Sequence, residues 1–584
     1  MIRKIIEKIH QGLLRELILE TKWIYSYAVR YRSGILLYIL LGIGAIVLGL
    51  GSSVASKYLI DAVTGHQDSM IFQIAALYAG FGLAKIGLNA VTQRISAKLN
   101  VQSSNEIRSN IFGQFLNVDW QASLDYHSGD LLTRINSDVS TVASSILGWI
   151  PSLITGMVQF IGTLAVILFY DPVMALIALI SAPITVFLSR YLVSNLRKFG
   201  NEMRQAQAQL TAFYEEALQN LQAIKSFSLN DRFSGRLDEL QALYQTVTLE
   251  NNLFSVKTHL LLSLVGFVVS GLCFAWGVYR LWSGYISFGT MVLFIQMASL
   301  LSSSFSSLVS LVPSAISATV AARRIMTILE LPREDLSVSS EAQALMGSAR
   351  EKGVGVTIEE LSFSYANGRQ VFDGLTLHAN PGEIIGIVSP SGGGKTTLIR
   401  ALLGLVAASS GTITVKSGSH SAPLSPCMRS LITYVAQEKV VFSGTIAESL
   451  RMSNPLATEE EIVQALKLAC AWDFVSQLPQ GIHSSLKERG LGLSEGQIQR
   501  LAIARSLLSD APVMLLDEAT SALDLATERI VLKNMLSSGV KRTVLVTTHR
   551  PTVLLSCTRV YSIEQGKARL LSPVEIQALT SGQA

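Results

Sequence analysis

EIIGIVSPSGGGKTTLIRALLGL, residues 383–405, passes from an apolar strand through a glycine-rich loop into a helix. That order matters because successive backbone N–H groups and a helix N-terminus converge there on an anion. Lys395 would reach the β- and γ-phosphates of a nucleotide, and the Thr396 hydroxyl would ligate Mg2+. The pattern G-x-x-x-x-G-K-[ST] is broken at one place, where Ser389 stands for the first glycine. Pro390 pushes the residue before it toward an extended backbone, which serine adopts without strain. The remainder of the cradle, Pro390, Ser391, Gly392, Gly393, Gly394, Lys395, Thr396 and Thr397, is complete.

A loop alone does not hydrolyse a nucleotide, so the flanking sequence decides the chemistry. VMLLDEATSALD, residues 513–524, reads as a buried strand ending in Asp517 and Glu518. Asp517 can hold Mg2+ through water, and Glu518 can polarise an attacking water. Short apolar runs such as SLITYVAQ and RTVLVTTH alternate with helical stretches beyond residue 354, which predicts an α/β domain with a mainly parallel sheet over 354–584.

The first half of the chain is of another kind. With 49% hydrophobic and only 15% charged residues, the 584-residue chain is too apolar for an ordinary soluble enzyme. Six stretches are long and apolar enough to span a bilayer: 33–56, 69–91, 144–170, 172–192, 259–282 and 288–312. Lys and Arg are missing from 58–83, 135–189 and 281–322, and crowd the stretches after the second and fourth spans. By the positive-inside rule both termini are cytoplasmic, as in a bacterial-type cytoplasmic membrane. This placement also accounts for the net charge of +5, so no nucleic-acid partner is expected. The two inner connections are rich in Gln, Glu, Ala, Leu and Lys, and read as long helical hairpins entering the cytosol. Residues 1–32 carry an amphipathic pattern with no cleavage site and are expected to lie along the membrane surface. Residues 331–353 read as a polar linker. Cys273, Cys427, Cys470 and Cys557 lie too far apart to indicate zinc or a disulfide framework.

LSEGQIQRLAIARSLL, residues 493–508, stands about 20 residues ahead of the acidic pair. Here the chain resembles the ATP-binding cassette transporters, whose members carry an L-S-G-G-Q signature at this place. Six spans followed by a cassette resemble that family's exporter-type half-transporters: an all-α six-helix membrane domain over 33–330 fused to an α/β P-loop ATPase domain. The resemblance implies that Tyr365 stacks on adenine, that Gln437 offers an oxygen to Mg2+ or water, and that His549 contacts the γ-phosphate. It implies that Ser494, Gly496 and Gln497 act on the ATP held by a second half-transporter, identical or different, and that KERG, 487–490, precedes the signature as a sensing loop. Glu495 replaces a signature glycine, and its charge must point away from phosphate.

The resemblance also implies coupling helices at the hairpin tips, matched to 122–130 and 209–217, with Tyr126, Phe213 and Tyr214 as candidate knobs. Within the spans, polar groups are costly, which singles out Lys85, Gln159 and Gln296 as candidate cavity residues. An ATP-driven exporter of a drug, peptide or lipid-linked cargo is expected. A non-transporting membrane ATPase, a regulatory or channel-like subunit, and the catalytic half of a heterodimeric exporter are the alternatives.

Overall fold

The computed structural model describes residues 13–65, 68–126, 128–365, 368–390, 392–437, 440, 442–486, 492–537 and 542–581. Ser391 and the stretch 487–490 lie outside the described residues. The chain divides into two units. One comprises Met1–Leu116 and His127–Glu330, the other Asn117–Tyr126 and Leu331–Ala584.

The first unit is helical, with long helices Arg32–Thr64, Asp68–Phe115, Val139–Tyr170, Pro172–Gln219, Asn230–Trp282 and Phe288–Leu329. Among the described residues, Arg32–Thr64, Met70–Phe115, Ser128–Tyr170 and Phe288–Leu308 are long and apolar enough to cross a membrane. Helices Pro172–Gln219 and Asn230–Trp282 carry the expected fourth and fifth spans. At 48 and 53 residues they reach about 70–80 Å, over twice the hydrocarbon thickness.

Carboxylates tie helix ends together where the connections are short. Asp171 is 1% exposed; it caps the helix that starts at Pro172 by accepting from the N–H groups of Val173 and Met174. Its other oxygen accepts from Arg280 Nε at 2.9 Å, so this buried charge is both paired and hydrogen-bonded. Asp61 does the same for the last long helix, accepting from Gly289 N and Ser287 Oγ, each at 2.8 Å.

Helix Leu13–Arg30 buries Ile24, Tyr27 and Ala28 within the unit and leaves Ile18, Leu19, Tyr25 and Val29 exposed, and its end is held where Arg30 and Tyr31 both donate to Glu106. Residues 209–217, expected as a hairpin tip, lie inside the continuous helix Pro172–Gln219. The tip is instead the short helix Leu221–Ser226 beside Phe227, which is 73% exposed. Phe213 stacks on Phe233 at 5.5 Å, and Tyr214 accepts from Gln241, so both bind the two arms of the hairpin to each other.

The second unit contains two large sheets and a two-stranded pair, Gly444–Thr445 with Ser485–Leu486. The mainly parallel sheet runs, edge to edge, Lys567–Leu570, Arg559–Glu564, Ile384–Val388, Thr543–Thr547, Val513–Asp517 and Ile432–Val435, with only the first strand antiparallel. An antiparallel sheet of Gln370–Ala379, Gly355–Ser364, Ser410–Ser417 and His420–Pro423 accompanies it. Alternation along the parallel strands splits the core. Leu515 and Leu545 join Phe372, Leu377, Leu398 and Ile399 on one face, while Leu516 and Val546 join Ile446, Leu466, Ile503 and Val531 on the other. Both faces are covered, which is why VMLLD carries no polar residue before Asp517.

Residues 340–352, expected as linker, form a helix whose Ala342, Leu345 and Ala349 are buried in this core. Their spacing of three and four fits a helical stripe, concealed in the sequence by small and polar neighbours. Asn117–Tyr126 also packs here, although the chain enters and leaves it through helices of the other unit. Val118 bridges Arg333, Asp119 N donates to the Pro332 carbonyl at 2.8 Å, and Glu334 N donates to that of Asn117 at 3.0 Å. Asp119 then caps the short helix Trp120–Ser123.

Candidate functional site

Parallel strands place their C-terminal ends at a common edge, and the loops leaving that edge build the site. The strand Ile384–Val388 delivers the glycine loop, and helix Lys395–Leu402 starts directly after it. Gly394 caps this helix at φ +99°, a conformation that L side chains rarely adopt. Gly393 lies so near Ser389 that an added Cβ would stand 2.8 Å from the Ser389 hydroxyl. Ser389 itself is 5% exposed, is absent from the positive-φ residues, and donates to the Pro390 carbonyl at 3.1 Å. Glycine is therefore not required at 389, and Ser389→Gly should change ATP affinity less than about threefold, the effect of removing one hydroxyl contact to a neighbouring carbonyl. A nucleotide titration that shows a tenfold change would contradict this.

Tyr365, Arg369, Gly392, Gly393, Gly394, Lys395, Thr396, Thr397, Gln437, Glu518 and His549 line one open cleft. Within it Lys395 Nζ is 3.1 Å from Glu518 Oε1 and donates to His549 Nε2. Gln437 Nε2 donates to Glu518 Oε2 at 3.0 Å, and His549 Nε2 is 3.9 Å from Glu518. Three polar side chains from three separate segments thus converge on one carboxylate.

Glu518 holds this position at a backbone cost. Its φ is +47°, uncommon for a residue with a side chain, and its N–H is bound by both the carbonyl and the hydroxyl of Thr547. Asp517 beside it is 1% exposed. Its Oδ1 accepts from the Thr547 hydroxyl at 2.6 Å, and its Oδ2 is buried with no hydrogen-bond partner among the described residues. Burial pushes the Asp517 carboxyl above its ordinary value, and the neighbouring Glu518 charge adds to this against the pull of Thr547, Thr396 and Lys395. A buried carboxylate oxygen without a donor fits a cation, so the residues present suit Mg2+.

Ser494, Gly496 and Gln497 do not line this cleft. They open helix Glu495–Leu508, where Ser494 and Gln497 bond each other's backbone N–H in a reciprocal cap. Glu495 is exposed in the first turn, where the helix dipole favours a carboxylate. That turn supplies a local reason for an acid where the signature has glycine.

Arg550, Gln499 and Thr547 support the site although none stands at a motif position. Arg550 follows His549, pairs with the fully buried Glu528 at 3.1 Å and donates to the carbonyls of Ser521 and Leu523. Gln499, on the helix that Ser494 caps, donates to Ser521 Oγ at 3.0 Å and accepts from Ala522 N at 2.9 Å. The segment after Glu518 is thereby clamped from both sides. Only the sequence THR at 548–550 and a Gln in mid-helix hinted at these contacts. Of the cavity candidates, Lys85 is exposed beside Gly49, Gln159 donates to Thr163 of its own helix, and Gln296 is half-buried on another helix. Tyr126 lies in the turn after Trp120–Ser123.

Known proteins resemble the chain across both units. Residues 35–305 match the ABC transporter transmembrane region, and residues 372–521 match the ABC transporter model. A Staphylococcus aureus protein named as a multidrug export ATP-binding/permease protein is 27% identical over 520 residues, covering 87% of this chain and 89% of that one. ABC transporter B family member 4 of Dictyostelium discoideum is 31% identical over 519 residues, covering 87% of this chain and 66% of that protein. A bacterial Atm1-family ABC exporter solved with ATP bound shares the fold, with TM-score 0.80 at 20% identity over 95% of this chain and 98% of that one. With a nucleotide cleft in one unit and spanning helices in the other, the chain belongs to the ATP-binding cassette transporters and is an integral-membrane, ATP-hydrolysing half-transporter of the exporter type that works as a dimer.

Proposed function

We propose that two copies of this chain form a homodimer that moves an amphipathic, peptide or lipid-like molecule out of the cytoplasm, with both termini cytoplasmic. The convergence of Lys395, Gln437 and His549 on Glu518 carries this reading, because it joins a phosphate contact to a base for water in one cleft. Tyr365 stacks on the base, and the backbone of 389–397 with Lys395 holds the phosphates. Thr396, Gln437 and Asp517 would hold Mg2+, which when bound neutralises charge between the β- and γ-phosphates. Phosphate draws Lys395 away from Glu518, and the released carboxylate is then free to polarise water while His549 holds the γ-phosphate.

Ser494, Gly496 and Gln497 would meet the ATP of the second copy, consistent with their position outside the cleft of their own chain. Closure of the two cassettes turns the cavity outward, and hydrolysis resets it. The Staphylococcus aureus relative's name supports a broad class of amphipathic cargo. The test is ATP-dependent accumulation of a fluorescent amphipathic dye in inside-out vesicles. Accumulation is expected for the unsubstituted chain and none for Glu518→Gln. ATP turnover without accumulation of dye, peptide or lipid probes would overturn export.

A further inference from the structure

Trp120 lies some 270 residues from the phosphate loop in sequence, yet it packs against the core of the ATP-binding unit. Its ring faces the Arg400 guanidinium, whose Cζ is 4.8 Å from the ring centroid. Arg400 is in the helix that begins at Lys395, and its Nη1 donates to the Tyr365 hydroxyl at 3.1 Å. That hydroxyl is also 3.0 Å from Thr397 Oγ1, whose residue is 7% exposed. The Tyr365 ring leans edge-on against Phe363, with centroids 5.0 Å apart. Tyr365 is therefore fixed at its hydroxyl by two partners and at its ring by a third, all in one unit.

The anchoring of Trp120 is equally specific. Asp119 caps its helix, and the backbone of 117–119 is bonded to Pro332 and Glu334. Glu334 in turn grips Arg429 through two bonds, at 2.6 and 2.8 Å, and Arg429 donates to the carbonyls of Leu403 and Gly404, directly after the Lys395 helix. The segment 117–126 is thus tied twice to the C-terminal end of the phosphate-loop helix, directly through Trp120 on Arg400 in its last turn and indirectly through Glu334 on Arg429. Chain continuity joins this segment to Asp68–Phe115 on one side and Ser128–Thr133 on the other.

We propose that Arg400 and Trp120 are positioning residues for the nucleotide base: Trp120 holds the Arg400 guanidinium, and Arg400 holds Tyr365 in the orientation that receives adenine. Base binding and the placement of 117–126 are then reciprocally coupled, because each stabilises the same Tyr365–Arg400 arrangement. The proposal rests on nucleotide binding in the cleft and adds a route by which the base, rather than the γ-phosphate, communicates with a segment spliced into the membrane helices. Arg400 stays clear of the phosphate contacts, so its effect is confined to the part of the ligand that Tyr365 meets.

The test uses the full chain in lipid nanodiscs, titrated with ATP and, separately, with inorganic triphosphate, which has phosphates and no base. Arg400→Met is expected to weaken ATP about threefold to tenfold, and Trp120→Ala about threefold. Neither should change triphosphate affinity, while Trp120→Phe and Arg400→Lys should recover part of the loss. Weakening of ATP and triphosphate alike in both variants would mean general damage to the loop and would overturn the proposal. So would a Trp120→Ala chain that binds ATP as the unsubstituted one does. Failure of the unsubstituted chain to bind ATP would instead sink the nucleotide reading on which the proposal stands.

Discussion

Glu518→Gln should lower ATP turnover by about 10²- to 10⁴-fold, the range for loss of a positioned general base, while leaving ATP binding intact. The substitution keeps the shape, the backbone bonds to Thr547 and a side-chain oxygen for Gln437 Nε2. What it removes is the charge. Lys395 loses an ion-pair partner at 3.1 Å and no longer has to exchange it for phosphate. Because Glu518 is partly exposed, that exchange is worth under about 1 kcal/mol, so ATP affinity should stay equal or tighten by less than about fivefold. Phosphate release and nucleotide titration on the same preparation check both halves. Turnover within threefold of the unsubstituted chain would remove Glu518 from the chemistry and leave the cleft a binding site.

How far such a site is legible in sequence depends on how local its contacts are. The strand, loop and helix of 383–405 are consecutive, and their residues meet because the chain turns there. Asp517 and Glu518 were legible because four buried apolar strand positions precede the pair, and a fully buried parallel strand must end at the functional edge of its sheet. Thr547 and Arg550 were not, since each acts on a neighbouring loop 22 to 30 residues away, through contacts that no spacing rule encodes.

The two hairpin tips differ for a similar reason. Residues 209–217 share the Gln, Glu and Ala content of their surroundings, so nothing in composition distinguishes a tip from the helix that runs through it. The tip at Leu221–Ser226 follows Asn220, a residue that ends helices by competing for backbone bonds, and this was the available signal. In the first hairpin, Asp119 before Trp120 is a cap signal of ordinary strength. What it could not convey is that the ring behind it packs on Arg400.

Gly394→Ala should be the most damaging change of a single methyl group in the loop. At φ +99° an alanine costs about 1–2 kcal/mol, and its Cβ would stand 2.7 Å from Val371 Cγ1 and 2.9 Å from Phe372 Cε1. Phe372 is fully buried and packs with Leu398, Ile399 and Leu402, so it cannot yield without disturbing the core beneath the loop. Overpacking of that kind adds about 1–3 kcal/mol. If the loop moves instead, phosphate binding must restore it, and ATP affinity falls by at least about 30-fold. Gly392→Ala separates the two contributions. Gly392 also has positive φ, at +77°, but its Cβ would meet only the end of the Arg369 side chain at 3.4 Å. Conformational strain alone then predicts a loss of about five- to thirtyfold there, with a smaller fall in melting temperature than at 394. Equal effects at the two positions, in nucleotide titration and thermal unfolding together, would show that backbone conformation and not the Phe372 contact sets the loop's need for glycine.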